Sequence, residues 1–503
     1  MIKNFKWLLL ASLAFVACDN EDEVKIDANS SDGKPLTAGS AVVTKYVALG
    51  DSYAAGYSDN ALFSLGQEGS YANIIAKQFA LAGGGEFKTP LMADNVGGLL
   101  LGGNVIAGPR LFFDLTPPPP FKSPTPLPVS GKPSTEVTTK LTGPFNNLGV
   151  PGAKSYHLIA PGYGNVAGVA GGLANPYFAR FATSASTTIV ADALAQDPTF
   201  FSLWIGGNDI LGYATSGGSG KNQTGNLDPK TYASNDITDP NVFASAYSTI
   251  VNALTAKGAK GVVANLPYVT ALPYFTTVPF NPLSNSVLGG GNVAVGQATV
   301  NALNTQLYGP LKQALTAFGA GDRINLMSTT TANPLLIRDE SLANLSAQLT
   351  AAFTPSLGAA TAAFYGQIFG QARQATKDDL VVLTTQSVIG TAPAGIPVPL
   401  NKFGITYPLQ DKDVLTKDEI LEVKTATDAY NATIKSVADA KGLAFVELKG
   451  VTDKLASGGI VYNGYNTTST FVTGGMFSLD GVHPSPRGYA IIANLFTEAI
   501  NTK

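Results

Sequence analysis

Ser52 is the first residue of the chain whose type and place could do chemistry. It stands in Gly50-Asp51-Ser52-Tyr53, directly after an apolar run that predicts a buried strand. A serine hydroxyl at the end of a strand can act as a nucleophile if a base lies beside it. A serine in front of a helix is also a common N-cap, so the position alone leaves both roles open. The absence of a Gly-x-Ser-x-Gly motif argues against the nucleophile elbow of α/β-hydrolases.

A histidine base for Ser52 can come only from His157 or His483, because the chain has two histidines. Asp480 precedes His483 by three residues in a turn with Gly481 and Pro484. A carboxylate at this spacing can accept the Nδ1 proton and leave Nε2 facing a nucleophile. The alternative is an aspartate that caps a local turn beside a surface histidine. His157 has no nearby carboxylate in the sequence, and we expect it at most to line a cleft.

Two further segments place hydrogen-bond donors after predicted strands. They are Asn147-Leu148-Gly149-Val150-Pro151-Gly152 and Gly206-Gly207-Asn208-Asp209. Glycine lets a backbone N–H approach a ligand closely, and an asparagine amide offers two N–H donors without charge. Donors of both kinds could stabilise a developing oxyanion, although each segment alone is also ordinary turn sequence.

Short apolar runs alternate with longer amphipathic segments along the chain. The runs predict five buried strands, at 46–49, 145–148, 200–205, 261–265 and 443–448. Apolar residues at helical spacing predict helices at 71–82, 242–256, 417–441 and 486–500. This alternation predicts βαβ units and one parallel sheet, whose carboxyl edge is where ligands bind.

Long stretches between these elements read as insertions into one domain that spans residues 45–503. They lie at about 83–143, 212–240, 273–292 and 328–412. The first is proline-rich from Pro117 to Pro128 and predicts polyproline-like loop, whereas an Ala-rich part near 340–375 predicts helix. The insertions carry aromatic residues that could wall an apolar pocket or could pack the loops onto the body: Phe112, Phe113, Phe121, Tyr274, Phe275, Phe280 and Phe403.

Composition excludes several classes of function. Charged residues make up only 13% of the 503 residues and apolar residues 45%, so a large core is expected. A net charge of −3 without a basic stripe argues against a nucleic-acid partner. Two histidines and one cysteine cannot build the usual Cys/His zinc sites or a disulfide framework. We therefore expect no metal and no cofactor.

The N-terminus has the pattern of an export signal. Lys3 and Lys6 precede an apolar stretch at 7–17, too short for a bilayer span of about 20 residues and typical of a signal peptide at 1–17. Phe15-Val16-Ala17-Cys18 resembles a bacterial lipobox, which implies cleavage before Cys18 and lipidation of its thiol. The acidic residues 19–23 resemble a surface-export signal, and 18–44 reads as a flexible linker. We expect a protein anchored in the bacterial cell envelope, at the outer membrane.

Taken together, the four polar segments occur in the order and places typical of one family. Gly50-Asp51-Ser52, Asn147 to Gly152, Gly206 to Asp209 and Asp480 to His483 resemble the motifs of the SGNH (GDSL) hydrolase superfamily. The resemblance covers the scaffold from about residue 46 to 500 but not the insertions. It implies a flavodoxin-like, three-layer α/β/α sandwich with a five-stranded parallel sheet.

The resemblance also implies a role for each residue. Ser52 would be the nucleophile, His483 the general base and then acid, and Asp480 the residue that orients His483. The Ser52 N–H, the Gly152 N–H and the Asn208 side chain would form the oxyanion hole, with Gly152 preferred over Gly149. Asp51 and Asp209 would hold the backbone around the site.

The activity so implied is that of a serine esterase or lipase, which hydrolyses carboxylic esters through an acyl-enzyme. The ester substrate could be a lipid or an acylated small molecule or glycan. One alternative is a carbohydrate O-deacetylase of the same superfamily. The other is a surface lipoprotein that binds glycans or lipids without turnover; it would account for the lipobox and the aromatic residues but not for the order of the four polar segments.

Overall fold

A five-stranded parallel sheet forms the centre of the protein in the computed structural model, which describes residues 37–116 and 125–503. Its strands are β1 (Tyr46–Gly50), β2 (Asn147–Gly149), β3 (Phe200–Trp204), β4 (Lys260–Ala264) and β5 (Ala444–Val446). They lie in the order β5-β4-β3-β1-β2, and all neighbours are parallel. This order is that of flavodoxin-like doubly wound sheets. The predicted α/β class and parallel sheet are confirmed.

Helices flank the sheet, an arrangement consistent with three layers. The main ones are α1 (Ser52–Ala55), α2 (Tyr71–Leu81), α3 (Asn208–Thr215), α4 (Pro240–Thr255), α5 (Lys417–Lys441) and α6 (Pro486–Asn501). Helix α2 packs on α6, and α4 packs on α5. Their apolar faces join the strands in one hydrophobic core, in which Ile75, Val251, Tyr430 and Phe496 are fully buried.

Capping side chains set the ends of the long helices. Helix α5 covers the predicted residues 417–441; it begins with a capping box, in which Glu419 accepts the backbone N–H of Thr416, and ends at the left-handed Gly442. Strand β2 is displaced from the predicted 145–148 to Asn147–Gly149. Asn146 adjoins the strand, since its carbonyl accepts the Ala48 N–H of β1 at 2.9 Å while its own N–H donates to the Lys88 carbonyl at 2.8 Å.

The first insertion contains two β-hairpins in place of the predicted loop. Leu99–Leu101 pairs with Asn104–Ala107, and Leu111–Asp114 pairs with Thr125–Pro128. The polyproline prediction was therefore wrong for Pro126 and Pro128. These prolines alternate with Thr125 and Leu127, so the residues that keep an N–H can face the partner strand while the prolines face outward. Pro117 to Phe121 and Pro124 lie outside the described residues.

The later insertions share a second hydrophobic core. It extends from Val278 to Val414 and contains Leu307, Tyr308, Leu336 and Phe369, all at most 4% exposed. The helices predicted near 340–375 are present as Ser346–Leu357 and Ala359–Phe369. The stretches at 273–292 and 328–412 therefore pack together. The helical residues 293–317, which lie between these stretches in the sequence, belong to the same core. Residues 212–240 are mostly turns, apart from the end of α3 and one short 3₁₀ helix.

Shorter elements complete the described chain. The helical ones are Ser64–Glu68, Ser155–Ile159, Val166–Val169, Pro176–Ala179, Ile189–Leu194, Pro229–Thr231, Val269–Ala271, Pro273–Thr276, Asn285–Leu288, Val293–Leu303, Asn304–Tyr308, Gly309–Ala317, Leu383–Ser387, Asp411–Asp413 and Leu448–Ser457. The strands are Leu336–Arg338, Ala372–Gln374, Leu380–Val381, Val414–Leu415, Ile460–Tyr462 and Tyr465–Thr467. Among residues 37–116 and 125–503, no helix has the length and apolar character needed to span a bilayer. The predicted signal peptide, Cys18 and residues 18–36 of the linker lie outside the described residues.

Gly149, at the end of β2, leaves no room for a side chain. A Cβ there would lie 2.3 Å from the Ala55 nitrogen and 2.6 Å from the Ala54 carbonyl carbon, both in the backbone of α1. We expect Gly149→Ala to lower the free energy of unfolding by about 1–3 kcal/mol or more, because backbone cannot rotate out of the way. Urea denaturation measures this change. Gly108→Ala, whose Cβ would meet nothing within 4 Å, should stay within about 0.5 kcal/mol of the wild type; equal stability of the two variants would contradict this packing.

Candidate active site

Strand register brings the polar segments to one edge of the sheet. Gly50 of β1 is level with Gly149 of β2 and with Trp204 of β3, so these three strands end together. Strand β1 lies where the strand order reverses, which is where ligands bind in open α/β sheets. The segments that begin at Ser52, Val150 and Ile205 all leave the sheet at this edge.

Ser52, His483 and Asp480 form one hydrogen-bonded chain. His483 Nε2 lies 2.8 Å from Ser52 Oγ, and His483 Nδ1 lies 2.9 Å from Asp480 Oδ2. The histidine and aspartate side chains are only 12% and 9% exposed. With Nδ1 protonated, Nε2 is placed to take the Ser52 proton. The carboxylate thus reaches back to the imidazole, as its spacing in the sequence predicts.

Four N–H and O–H groups besides His483 Nδ1 stabilise Asp480 as a carboxylate. Its Oδ1 accepts the N–H groups of Val482 and His483 at 2.8 Å each and the Ser478 hydroxyl at 3.0 Å. Its Oδ2 also accepts the Asn60 N–H at 3.0 Å. Burial alone would raise the pKa of this carboxyl, but the charge of His483 and these hydrogen bonds outweigh burial and lower the pKa to about 2. Asp480 is therefore ionised at neutral pH.

A tight turn at residues 58–61 holds the Asp480 loop, and the sequence analysis missed it. Asp59 and Asn60 both have positive φ, and Ser58 and Ala61 exchange backbone hydrogen bonds. Asp59 Oδ1 accepts the Leu479 N–H at 3.0 Å, besides the Asn60 contact with Asp480. An Asp-Asn pair favours such a turn, but nothing in its sequence indicates contact with residues 420 positions away.

Two tyrosine rings enclose the His483 imidazole. The Tyr57 and Tyr53 ring centroids lie 4.6 and 5.3 Å from that of His483. The Tyr53 hydroxyl donates to the Val482 carbonyl at 3.2 Å, and its ring also packs on Trp204. Tyr53 thus restricts the position of the imidazole.

Three N–H donors lie in or at the start of segments that leave the sheet at the edge that carries Ser52. The backbone N–H groups of Ser52 and Gly152 donate to no protein acceptor within the described part of the chain. One N–H of Asn208 Nδ2 donates to the Ala153 carbonyl at 3.0 Å, which leaves the second for a ligand. The Gly149 N–H is already bonded to Asn147 Oδ1 at 3.0 Å. This geometry favours Gly152 over Gly149 as an oxyanion donor.

Two buried aspartates stabilise the backbone around these donors. Asp209 accepts both the N–H and the hydroxyl of Ser155 at 2.8 Å, which fastens the loop after β2 to helix α3. Asp51 caps α1 by accepting the Tyr53 N–H at 3.0 Å. Burial raises the pKa of both carboxyls, that of Asp51 to about 7. These contacts agree with the structural roles expected for both residues.

Among residues 37–116 and 125–503, His157 has no carboxylate partner that would make it a base. Its Nδ1 accepts the Lys154 N–H at 3.0 Å, and its ring stacks on Tyr163 with centroids 4.3 Å apart. Burial, and then the positive charge of Lys154, lower the pKa of His157 to about 3. The side chain is neutral at physiological pH and belongs to the packing of this loop.

One group of carboxylates has the spacing of a metal site. Ligand atoms of Glu340, Asp411 and Glu419 lie within 4.8 Å of one another, where the second core meets α5. Burial and then a hydrogen bond with Glu340 raise the pKa of Asp411 to about 8, and burial raises the pKa of Glu419 to about 7. Burial thus favours the protonated forms of Asp411 and Glu419.

The low pKa of His157 predicts a pH dependence of stability. An unfolded histidine takes up a proton near pH 6.5, but the folded side chain does so only near pH 3, so stability is lost as the pH falls between these values. We expect His157→Asn, which can still accept the Lys154 N–H, to lose less stability than the wild type between pH 7 and pH 4. Urea denaturation at both pH values measures the difference; parallel losses would contradict a buried neutral histidine.

We compared the chain with protein-family models, with curated proteins and with solved structures, and none matched. The superfamily named above therefore rests on the resemblance of four motifs. The geometry of Ser52, His483 and Asp480 stands independently of that resemblance.

Proposed function

We propose that this chain is a serine hydrolase of carboxylic esters and a member of the SGNH superfamily. The observation that carries the proposal is the chain of hydrogen bonds from Ser52 Oγ through the His483 imidazole to Asp480. An N-cap serine and a surface histidine would not need a buried, ionised carboxylate behind them. N–H donors at the same sheet edge would add the second requirement of acyl transfer, a site for the oxyanion.

The geometry accounts for each step of ester hydrolysis. Ser52 Oγ bonds to the ester carbonyl carbon while its proton passes to His483 Nε2. The carbonyl oxygen becomes an oxyanion held by the N–H groups of Ser52, Gly152 and Asn208. The carbon–oxygen bond to the alcohol then breaks, and Nε2 returns the proton to the leaving oxygen. Water repeats the sequence on the acyl-enzyme and releases the acid and free Ser52.

The aromatic residues of the insertions give little support for a large acyl pocket. Phe275 is buried in the main core, and Phe280 and Phe403 pack against the second core. Phe112 and Phe113 belong to a hairpin, and Phe121 lies outside the described residues. Tyr274 does lie near the site, because its N–H donates to the Gly481 carbonyl at 3.0 Å. Esters of lipids and acetylated glycans both remain candidate substrates, and relative rates on acetyl to long-acyl esters distinguish them.

Substitution of the nucleophile tests the proposal. We expect Ser52→Ala to lower kcat on p-nitrophenyl acetate by several orders of magnitude, because no other hydroxyl in the described part of the chain is bonded to His483. Asn208→Ala should lower kcat by roughly 10²–10³-fold through loss of one oxyanion donor. Steady-state kinetics measure both effects.

Ser64→Ala is the matched control for these variants. Ser64 begins a neighbouring short helix and bonds to Asn95, so its loss should leave kcat near the wild-type value. A Ser52→Ala protein with wild-type activity would exclude the proposed nucleophile. A wild-type protein that binds lipid or acetylated glycan but hydrolyses no ester would favour the binding function instead.

A further inference from the structure

Asn175 lies beside the oxyanion donors, although no motif points to it. It follows the glycine-rich segment 162–172 and is 8% exposed. Its Oδ1 accepts the N–H groups of Tyr177 and Phe178 at 2.9 and 3.1 Å and so caps the short helix Pro176–Ala179. The carbonyl half of the Asn175 side-chain amide is therefore held by two backbone N–H groups.

The other half of the Asn175 amide holds the loop after β2. Its Nδ2 donates to the Pro151 carbonyl at 2.8 Å and to the Tyr163 hydroxyl at 3.1 Å. Both N–H donors and the carbonyl oxygen of the amide are thus in use, which prevents the amide from rotating. Asn175 is a rigid anchor for the Pro151 carbonyl.

The anchor determines where the Gly152 N–H points. In a planar trans peptide, the carbonyl of one residue and the N–H of the next point in opposite directions. Since the Pro151 oxygen faces Asn175, the Gly152 N–H must face away from it. On the other side of Gly152, the Ala153 carbonyl is held by Asn208 at 3.0 Å.

Gly152 would not keep this orientation unaided. It has φ +80° in a turn that is closed by the Ala153 N–H, which donates to the Val150 carbonyl at 3.0 Å, and a Cβ on Gly152 would come no nearer than 4.0 Å to its surroundings. Such a turn permits more than one orientation of its central Pro151–Gly152 peptide, because turn types I and II keep the same closing hydrogen bond and differ in that orientation. Glycine adopts positive and negative φ with similar ease. The hydrogen bonds at Pro151 and Ala153 therefore select one of several peptide orientations.

We propose that Asn175 is a positioning residue for the oxyanion hole: its Nδ2 holds the Pro151–Gly152 peptide so that the Gly152 N–H faces the reacting carbonyl oxygen. This inference rests on the proposed ester hydrolysis. Asn175 does not touch the substrate and acts through Gly152.

Two substitutions separate this role from helix capping. Asn175→Ser keeps a good N-cap but is too short to hold the Pro151 carbonyl, and Asn175→Asp keeps the cap and the shape but not the N–H donor. We expect both to lower kcat on p-nitrophenyl acetate by roughly 10- to 100-fold with little change in KM, because a misplaced donor weakens the transition state only. Asn165→Ser is the control, since Asn165 caps the neighbouring helix Val166–Val169 without contacting Pro151.

The affinity for an inhibitor that forms a tetrahedral adduct tests the role of Asn175 in the oxyanion hole, because a merely structural role would leave this affinity unchanged. The affinity of the protein for a trifluoromethyl ketone, which forms an adduct with Ser52, depends on the oxyanion donors. It should therefore fall in the Asn175 variants by the same factor as kcat/KM. The Tm of these variants should stay close to that of Asn165→Ser. Wild-type kcat in Asn175→Ser, or an unchanged ketone affinity, would overturn the inference. If the wild type itself hydrolyses no ester and does not react at Ser52, the proposed function fails and the inference falls with it.

Discussion

One hydrogen bond, between Ser52 Oγ and His483 Nε2, joins residues 431 positions apart. It forms only because β1 and the loop before α6 meet at the same sheet edge. The turn at 58–61 brings the two regions together directly, since Asn60 and Asp59 bond to Asp480 and Leu479. Loss of the parallel register or of this turn would separate the hydroxyl from its base.

The negative charge of Asp480 determines what the contact between Ser52 and His483 can do chemically. A buried carboxylate is unfavourable unless hydrogen bonds compensate it, and the Asp480 carboxylate accepts the N–H groups of Val482 and His483 as well as the Ser478 hydroxyl. The result is a fixed negative charge behind the imidazole, which favours transfer of the Ser52 proton to Nε2. Asparagine side chains supply the neighbouring donors without adding a competing charge. In the proposed hydrolysis, the site would therefore stabilise positive charge on the histidine and negative charge on the substrate oxygen in adjacent places.

The sheet and the residues Ser52, His483 and Asp480 could be predicted from the sequence because each has a local signature. Helix α5 was predicted residue for residue, since its capping box and terminal glycine act locally. The missed features depend on partners distant in sequence: Pro126 is paired with Phe113 in a hairpin, and the contact of Asn175 with Pro151 follows from the path of a glycine-rich loop. The second core was missed for the same reason, because periodicity predicts helices but not what they pack against.

The most direct test of the central claim is covalent labelling of the folded protein with a fluorophosphonate, followed by mass spectrometry of tryptic fragments. The account predicts a single adduct, on Ser52 within the peptide 46–77 between Lys45 and Lys77, and its loss when the protein is unfolded first. Fragmentation distinguishes Ser52 from the other serines of that peptide. No adduct on the folded protein, or an adduct on another residue, would contradict a nucleophilic Ser52.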